Sequence, residues 1–97
     1  SLLVEQEFKT LHSVSAYAKR LGVSPKSITK HFKKMGINTP SNLIKNRILL
    51  EAKRMLIYTD LSIKEIAYKL GFNDPAYFTR FFSKTVLKSP LQFKKEY

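Results

Sequence analysis

Basic side chains recur at helical spacing in one short segment of the chain. Lys26, Lys30 and Lys33 fall on the same side of a helix, with Thr29 beside them. Ammonium groups donate to phosphate oxygens or to guanine, and threonine can pair with a base or touch a thymine methyl group. This face therefore has the chemistry to hold, and in part to read, a polyanion.

A second segment, about fifty residues further on, presents a related face. Its outward residues are Ala76, Thr79, Arg80 and Lys84. An arginine fork can donate twice to one guanine, and alanine offers a small apolar contact. The aromatic residues could form a stacking platform for single strands, but their helical spacing favours a core stripe for Phe78, Phe81 and Phe82. Tyr77 alone is expected at the outer face.

The two segments belong to an internal repeat, with copies at 16–40 and 65–90. Identities fall at an offset of 49 before one inserted residue and at an offset of 50 after it. The matching pairs are Ala18 and Ala67, Leu21 and Leu70, Gly22 and Gly71, Pro25 and Pro75, Thr29 and Thr79, Phe32 and Phe82, Lys34 and Lys84, and Pro40 and Pro90. Each copy therefore predicts two helices joined by a tight turn that contains glycine, as in a helix-turn-helix motif. In that motif the second helix, here called the reading helix, enters the major groove of DNA.

Each copy also predicts its own packing. Ala18 and Ala67 leave room for the helices to cross, and Gly22 and Gly71 can take the positive φ of the turn. The residues expected to pack around them in the first copy are Tyr17, Leu21, Val23, Ile28, Phe32 and Met35. Those expected in the second copy are Ile66, Leu70, Phe72, Phe78, Phe81 and Phe82.

The elements around the repeat are all helical, and no segment alternates as a strand does. The expected helices are 2–11, 14–21, 25–35, 41–58, 63–70, 75–85 and 90–93. Ser13, Ser24, Asp74 and Ser89 can cap helices, and Ser62 with Glu65 forms a capping box. The predicted fold is therefore all-α, with a first unit at 1–40, a linker helix at 41–59 and a second unit at 60–97. The linker, about 27 Å long at 1.5 Å per residue, approaches the roughly 34 Å of one DNA turn.

The net charge of the chain indicates what kind of molecule it binds. Eighteen Lys and Arg against seven Asp and Glu give a net charge of +11, and no acid lies between Phe8 and Leu50, a stretch with nine bases. A polyanion is the expected partner. A membrane surface is disfavoured because prolines divide the helices, and no apolar run is long enough to span a bilayer.

Nothing in the sequence indicates catalysis or a cofactor. There is no cysteine, His12 and His31 have no acidic or cysteine neighbours suited to zinc, and no phosphate loop or nucleophile elbow is present. We therefore expect no enzyme, no metal, no cofactor and no site for a small effector. The absence of cysteine suits a cytoplasmic protein.

The chain resembles the DNA-binding domain of AraC/XylS-type transcription regulators. The resemblance covers nearly the whole chain and is most specific in DLSIKEIAYKLGFNDPAYFTRFFSKTVLKSPLQFKK, residues 60–95. It implies base-reading positions at Lys26, Thr29, Lys30, Ala76, Thr79 and Arg80. For the DNA backbone we expect contacts from Lys33, Lys34, Lys45, Tyr77 and Lys84. One departure is that Ile37 and Leu87 stand where such domains often have glycine.

The resemblance also implies a biological setting. It implies a bacterial regulator that binds double-stranded DNA in two successive major-groove segments, with RNA polymerase as a further partner. A sensory or dimerisation domain normally precedes such a domain. The alternative is a basic helical module that binds RNA or a protein; the first would favour exposed aromatic residues and the second an exposed apolar patch.

Overall fold

The computed structural model describes residues 2–36 and 39–97. Over these residues the chain forms seven α-helices and no strand, which confirms the all-α prediction. The helices are α1 Leu2–Glu7, α2 Val14–Leu21, α3 Pro25–Lys34, α4 Pro40–Tyr58, α5 Ile63–Lys69, α6 Pro75–Val86 and α7 Pro90–Glu96. Within the same residues, no helix is both long and apolar enough to cross a bilayer.

The chain divides into two compact units within α4. The first unit covers residues 1–48 and the second covers residues 49–97, so α4 contributes one half to each. The division into a first unit, a linker helix and a second unit remains a prediction. Each unit holds one copy of the repeat, α2 and α3 in the first and α5 and α6 in the second.

The first unit has a small core. Its buried side chains come from α1 and the turn after it, from α2 and from the first half of α4: Val4, Phe8, Tyr17, Ala18, Pro40, Ile44 and Ile48. The guanidinium of Arg47 holds α1 in place, because it stacks 4.0 Å from the centre of the Phe8 ring while its Nε lies 2.7 Å from the Glu5 carboxylate. No described residue of α3 is buried.

The second unit has a larger, aromatic core. Its buried residues are Leu49, Ala52, Leu56, Ile66, Ala67, Leu70, Phe72, Phe78, Phe82, Pro90 and Phe93. Ring centres follow one another at 5.2 Å from Phe72 to Phe78, at 6.1 Å from Phe78 to Phe82 and at 5.6 Å from Phe82 to Phe93. Edge and tilted ring contacts of this kind add to area burial, so α6 is fixed by its inner face.

Helix starts follow the predicted caps. The hydroxyl of Ser13, the hydroxyl of Ser24 and the carboxylate of Asp74 each accept from a backbone N–H in the first turn. The capping box is also confirmed, since the N–H of Ser62 donates to Glu65 at 3.0 Å and that of Glu65 donates back at 3.1 Å. This pairing lowers the pKa of the Glu65 carboxyl, chiefly through the backbone hydrogen bond from Ser62.

Two helix ends differ from the prediction by more than one residue. Helix α1 ends at Glu7 rather than Leu11, because the Glu7 carbonyl accepts from the N–H groups of both Thr10 and Leu11 and closes a turn. Helix α7 continues to Glu96 rather than stopping at Phe93. Its capping box, Ser89 with Gln92, and the ion pair of Lys88 with Glu96 support the added turn.

Candidate nucleic-acid interface

The turn of each unit has the same hydrogen bonds. In the first unit Gly22 has φ 72° and the N–H of Val23 donates to the carbonyl of Ala18 at 3.0 Å. In the second, Gly71 has φ 87° and the N–H of Phe72 donates to the carbonyl of Ala67 at 2.9 Å. This is the bonding of a Schellman end, and it confirms the positive φ predicted for both glycines.

Helix α3 presents its predicted reading residues to solvent. Lys26, Thr29 and Lys30 are all exposed. The Thr29 hydroxyl donates to the Pro25 carbonyl at 3.1 Å. That bond leaves the threonine methyl group and an oxygen lone pair available to a base.

The residues predicted to hold the DNA backbone in the first unit are exposed as well. Lys33 and Lys34 lie in the last turn of α3, and Lys45 lies on α4. Helix α3 contains no acid, and over residues 2–36 and 39–97 none of its lysines forms a salt bridge. Its lysine charges are therefore available to phosphates.

Helix α6 is fixed from within by a pair of phenylalanines. Phe78 and Phe82 are both 0% exposed. At the start of the helix the Asp74 carboxylate accepts from the N–H of Ala76 at 3.0 Å, and Pro75 occupies the first turn, where its missing N–H is not needed. A helix whose inner face and first turn are both set presents its outer face in a defined orientation.

That outer face carries the second group of predicted residues. Ala76, Arg80 and Lys84 are exposed, and Thr79 is half-buried. A contact from Thr79 to a base therefore uses only the accessible part of its side chain.

Arg80 belongs to a chain of aromatic contacts. Its guanidinium carbon lies 5.9 Å from the centre of the exposed Tyr77 ring, and that ring lies 5.9 Å from Phe72. A cation over a ring face is held at about 6 Å by the ring quadrupole. Tyr77 thus contacts Arg80 on the outer face of α6. The sequence prediction assigned Tyr77 only to the DNA backbone, although a spacing of three residues on a helix could have indicated this contact.

The first unit departs from the predicted core. Leu21, Val23 and Met35 were expected inside, but they are 55%, 47% and 60% exposed, so these three assignments are wrong. The second unit has aromatic residues, Phe72 and Phe78, at two core positions where the first unit has the smaller Val23 and Ile28. The smaller side chains cover less of the first unit's core, so Leu21 and Val23 remain exposed. Predicted core residues Ile28 and Phe32 are half-buried, and His31 is exposed.

Within the described residues, no cluster of His, Asp and Glu could hold a metal ion. The two positions where such domains often have glycine differ in what the structure describes. Ile37, noted for standing in a usual glycine position, lies outside the described residues. Leu87, the other such position, takes the left-handed conformation with φ 65° despite its side chain.

Comparison with known proteins identifies relatives along most of the chain. A family model described as a helix-turn-helix domain matches residues 17–96. The transcriptional activator NphR of Rhodococcus is 35% identical over 88 residues, 91% of this chain and 25% of NphR. The uncharacterized HTH-type transcriptional regulator YijO of Escherichia coli is 28% identical over 94 residues, 97% of this chain and 33% of YijO. The chain thus spans a third or less of these two relatives.

Solved structures share the fold. The C-terminal domain of AraT, a response regulator from Geobacillus stearothermophilus, superposes with a TM-score of 0.85 at 26% identity, covering 99% of this chain and 80% of that one. The DNA-binding domain of AdpA, determined in complex with a target DNA, superposes with a TM-score of 0.78 at 23% identity over 95% of this chain and 83% of that one.

Two helix-turn-helix units with exposed basic faces define a DNA-binding domain of a transcription regulator. The chain belongs to the AraC/XylS-type family of helix-turn-helix regulators, as the resemblance implied. The part of these proteins that the chain matches is the DNA-binding domain of a transcription regulator.

Proposed function

We propose that this domain recognises a specific DNA sequence by placing α3 and α6 in two successive major-groove segments. The observation that carries this proposal is the two-faced character of α6, in which Arg80 is exposed while Phe78 and Phe82 are fully buried. A rigid helix with an exposed arginine fork suits bidentate reading of guanine. The repeat of the same turn around α3 supports a second reading helix.

The proposed base contacts are the six residues named from the sequence. They are Lys26, Thr29 and Lys30 on α3, and Ala76, Thr79 and Arg80 on α6. Their exposure supports the assignment for all but Thr79, which is half-buried. In this assignment Arg80 provides the strongest discrimination, because only it offers a planar fork with two parallel donors.

The proposed contacts with the DNA backbone are Lys33, Lys34, Lys45, Tyr77 and Lys84. Lys33, Lys34 and Lys84 lie toward the C-terminal ends of α3 and α6, whereas the first turns carry the proposed base readers Lys26 and Ala76. In helix-turn-helix proteins the N-terminal part of the reading helix contacts base edges. Lysines in the last turns are therefore better placed for phosphates.

We propose in addition that the domain works within a longer regulator. Its relatives NphR and YijO are several times longer, which supports an accompanying sensory or dimerisation domain. A regulator of this family in the bacterial cytoplasm would act with RNA polymerase as its partner.

Selection of duplexes from a random pool tests the proposed reading mode. We expect two short enriched blocks with centres about one helical turn apart, roughly 34 Å. Two matched variants assign the blocks: Arg80→Ala should erase one block, and Lys30→Ala should weaken the other. A single block that both variants weaken equally would contradict reading by two helices.

A competition experiment separates DNA binding from the alternative of an RNA-binding or protein-binding module. The enriched duplex should be displaced by unlabelled duplex of the same sequence far better than by structured RNA of equal length. Binding to that duplex should fall steeply with salt, with a log–log slope of about −0.9 per phosphate contacted. Equal displacement by RNA would favour the alternative.

A further inference from the structure

Tyr77 lies on the outer face of α6, but its ring is attached to the core of the second unit. The residue is 57% exposed, and its ring packs against Phe72 with centres 5.9 Å apart and planes inclined at 33°. Phe72 is buried and packs in turn against Phe78 at 5.2 Å and Phe81 at 5.5 Å. Tilted rings at these separations attract one another. Tyr77 is therefore the outermost ring of a stack that begins in the core.

The neighbours of Arg80 on α6 favour its contact with Tyr77. Side chains three and four residues apart on a helix are neighbours, and long side chains lean toward the preceding turn. In that turn Ala76 offers only a methyl group, whereas the centre of the Tyr77 ring lies 5.9 Å from the guanidinium carbon. In the turn that follows, Ser83 is half-buried and Lys84 has the same charge as Arg80. The cation of Arg80 is therefore drawn toward the Tyr77 ring.

This contact leaves the donors of Arg80 available. Helix α6 contains no acid, and over residues 2–36 and 39–97 the guanidinium of Arg80 forms no salt bridge. A carboxylate would occupy the planar fork with two hydrogen bonds, whereas an aromatic ring attracts the cation through its quadrupole. The ring therefore restrains the arginine while the N–H groups of the fork remain available to guanine.

Helix α3 has no aromatic residue beside its corresponding reading residue. The three equivalent positions of the repeat are occupied by Val23 for Phe72, Ser27 for Tyr77 and Lys30 for Arg80. The Ser27 hydroxyl lies 3.0 Å from the hydroxyl of Ser24, which caps the helix. A ring beside the reading residue therefore distinguishes the second unit from the first.

We propose that Tyr77 is a positioning residue, whose ring restrains the Arg80 guanidinium before DNA binds and thereby raises the discrimination of guanine by Arg80. A long side chain that is already restrained loses less freedom on binding. Because Arg80 is immobilised only by a duplex that has guanine at the right place, this gain favours the preferred sequence. The effect on discrimination rests on the proposed function, whereas the restraint of Arg80 in the free domain does not. The role belongs to the ring, so a contact of the Tyr77 hydroxyl with the DNA backbone is compatible with it.

The first test measures the mobility of Arg80 in the whole domain without DNA. The ¹⁵N relaxation of its Nε–H group is compared between the parent, Tyr77→Leu and Tyr77→Phe, which should all fold because Tyr77 is exposed. Leucine is a good helix former without an aromatic face, so the order parameter of Arg80 should fall in Tyr77→Leu and keep the parent value in Tyr77→Phe. The Nε–H group of Arg20, in the first unit, is the control and should be unchanged in both variants. An unchanged order parameter of Arg80 in Tyr77→Leu would overturn the proposal.

The second test measures discrimination. The ratio of affinities is measured between the selected duplex and the same duplex in which an A·T pair replaces the guanine pair of the block that Arg80→Ala erases. Tyr77→Leu should lower this ratio by about two- to fivefold, as expected for the loss of one exposed cation–π contact. Tyr77→Phe, which retains the ring, should keep the ratio even if the lost hydroxyl lowers the affinity for both duplexes.

A double-mutant cycle shows whether Tyr77 acts through Arg80. In the Arg80→Ala background, Tyr77→Leu should leave the ratio unchanged, because a residue that acts through Arg80 has no effect once Arg80 is absent. An equal loss in that background would overturn the proposal, since Tyr77 would then contact the base itself.

The two tests also separate failure of this proposal from failure of the proposed function. If Arg80→Ala alone leaves the ratio unchanged, the proposed base contact of Arg80 fails, and the effect of Tyr77 on discrimination is overturned with it. If Arg80→Ala lowers the ratio and Tyr77→Leu does not, the base contact stands and the positioning role of Tyr77 is overturned.

Discussion

The two helix-turn-helix units share a backbone design and differ in how they are filled. In the second unit, α6 buries Phe78 and Phe82 completely and Phe72 packs beside them. In the first unit no described residue of α3 is buried, and a cavity of about 500 Å³ lies behind it. The same turn can therefore be built over a closed core or over an open one.

This difference shows which parts of the motif are local. The turn depends on a glycine with positive φ and on one backbone hydrogen bond to the repeat alanine, and both units have these. Cap hydroxyls and carboxylates likewise act over three residues or fewer. The orientation of the reading helix depends instead on the volume of side chains distant in sequence, and only the second unit fills that volume.

Charge differs between the reading helices as well. Helix α3 has four lysines and no acid, whereas α6 has Arg80 and Lys84 beside an aromatic cluster. Lysine ammonium groups favour phosphate, while an arginine supported by a ring is better suited to a base. We infer that the first unit contributes more to holding DNA and the second more to reading it.

The largest expected effect compares two phenylalanines at equivalent positions of the repeat. Phe82→Ala removes a fully buried ring and should lower the free energy of unfolding by about 3–5 kcal/mol. Phe32→Ala removes a half-buried ring that already borders a cavity, and should cost about 1–2 kcal/mol. Urea unfolding of the two variants measures the difference. Equal losses would show that the cores are equally closed.

The next prediction separates reading from holding. Arg80→Ala should weaken binding to the preferred duplex by about 1–3 kcal/mol and barely change binding to random duplex. Lys34→Ala should weaken both by a similar factor and make the salt dependence shallower by about one phosphate contact. Both variants should melt like the parent, because both side chains are exposed. If Arg80→Ala loses affinity equally on both duplexes, Arg80 contacts phosphate.

Substitution of the turn glycines should destabilise the two units equally, because both glycines have positive φ. Gly22→Val and Gly71→Val should each cost about 1–3 kcal/mol, because a β-branched residue is strained at positive φ. At Gly22 a new Cβ would meet no atom within 4 Å, so the cost there is conformational. Asn at either position should be milder. Melting temperatures equal to that of the parent would place the turn elsewhere.

The smallest expected effect concerns the end of α6. Leu87 has φ 65° and is 84% exposed, so its side chain gains little packing in return for a strained backbone. Leu87→Gly should raise the free energy of unfolding by about 1 kcal/mol. Leu87→Ala keeps the strain and should leave stability nearly unchanged. A gain from Leu87→Ala as large as from Leu87→Gly would mean that the exposed side chain, not φ, is unfavourable.

The sequence was sufficient for features that depend on local chemistry and on the repeat. The seven helices, the caps at Ser13, Ser24 and Asp74 and the Ser62–Glu65 box followed from residue type and spacing. The core of the second unit followed as well, because its apolar positions are aromatic and fill space. Side-chain exposure in the first unit did not follow, since hydrophobic spacing predicts which face is inward but not whether neighbouring helices close over it.

The sequence held signals for two features of the structure that were not predicted, the less filled core of the first unit and the contact of Tyr77 with Arg80. Val23 opposite Phe72 and Ile28 opposite Phe78 mark a loss of volume in the first unit, yet a one-dimensional pattern treats all four as apolar. The contact of Tyr77 with Arg80 could have been predicted, because residues three apart on a helix are neighbours. The buried Tyr17 hydroxyl, which has no hydrogen-bond partner among the described residues, could not have been predicted, because its burial depends on residues from other helices.

Native-state hydrogen exchange of the two reading helices tests the central difference most directly. We predict that amides in the interior of α6 exchange only through openings of much higher free energy than those of α3, because α6 is fixed by buried rings and α3 is not. The comparison uses equivalent residues, such as Phe82 and Phe32, in one sample without DNA. Equal or greater protection in α3 would contradict the account of a closed second unit and an open first one.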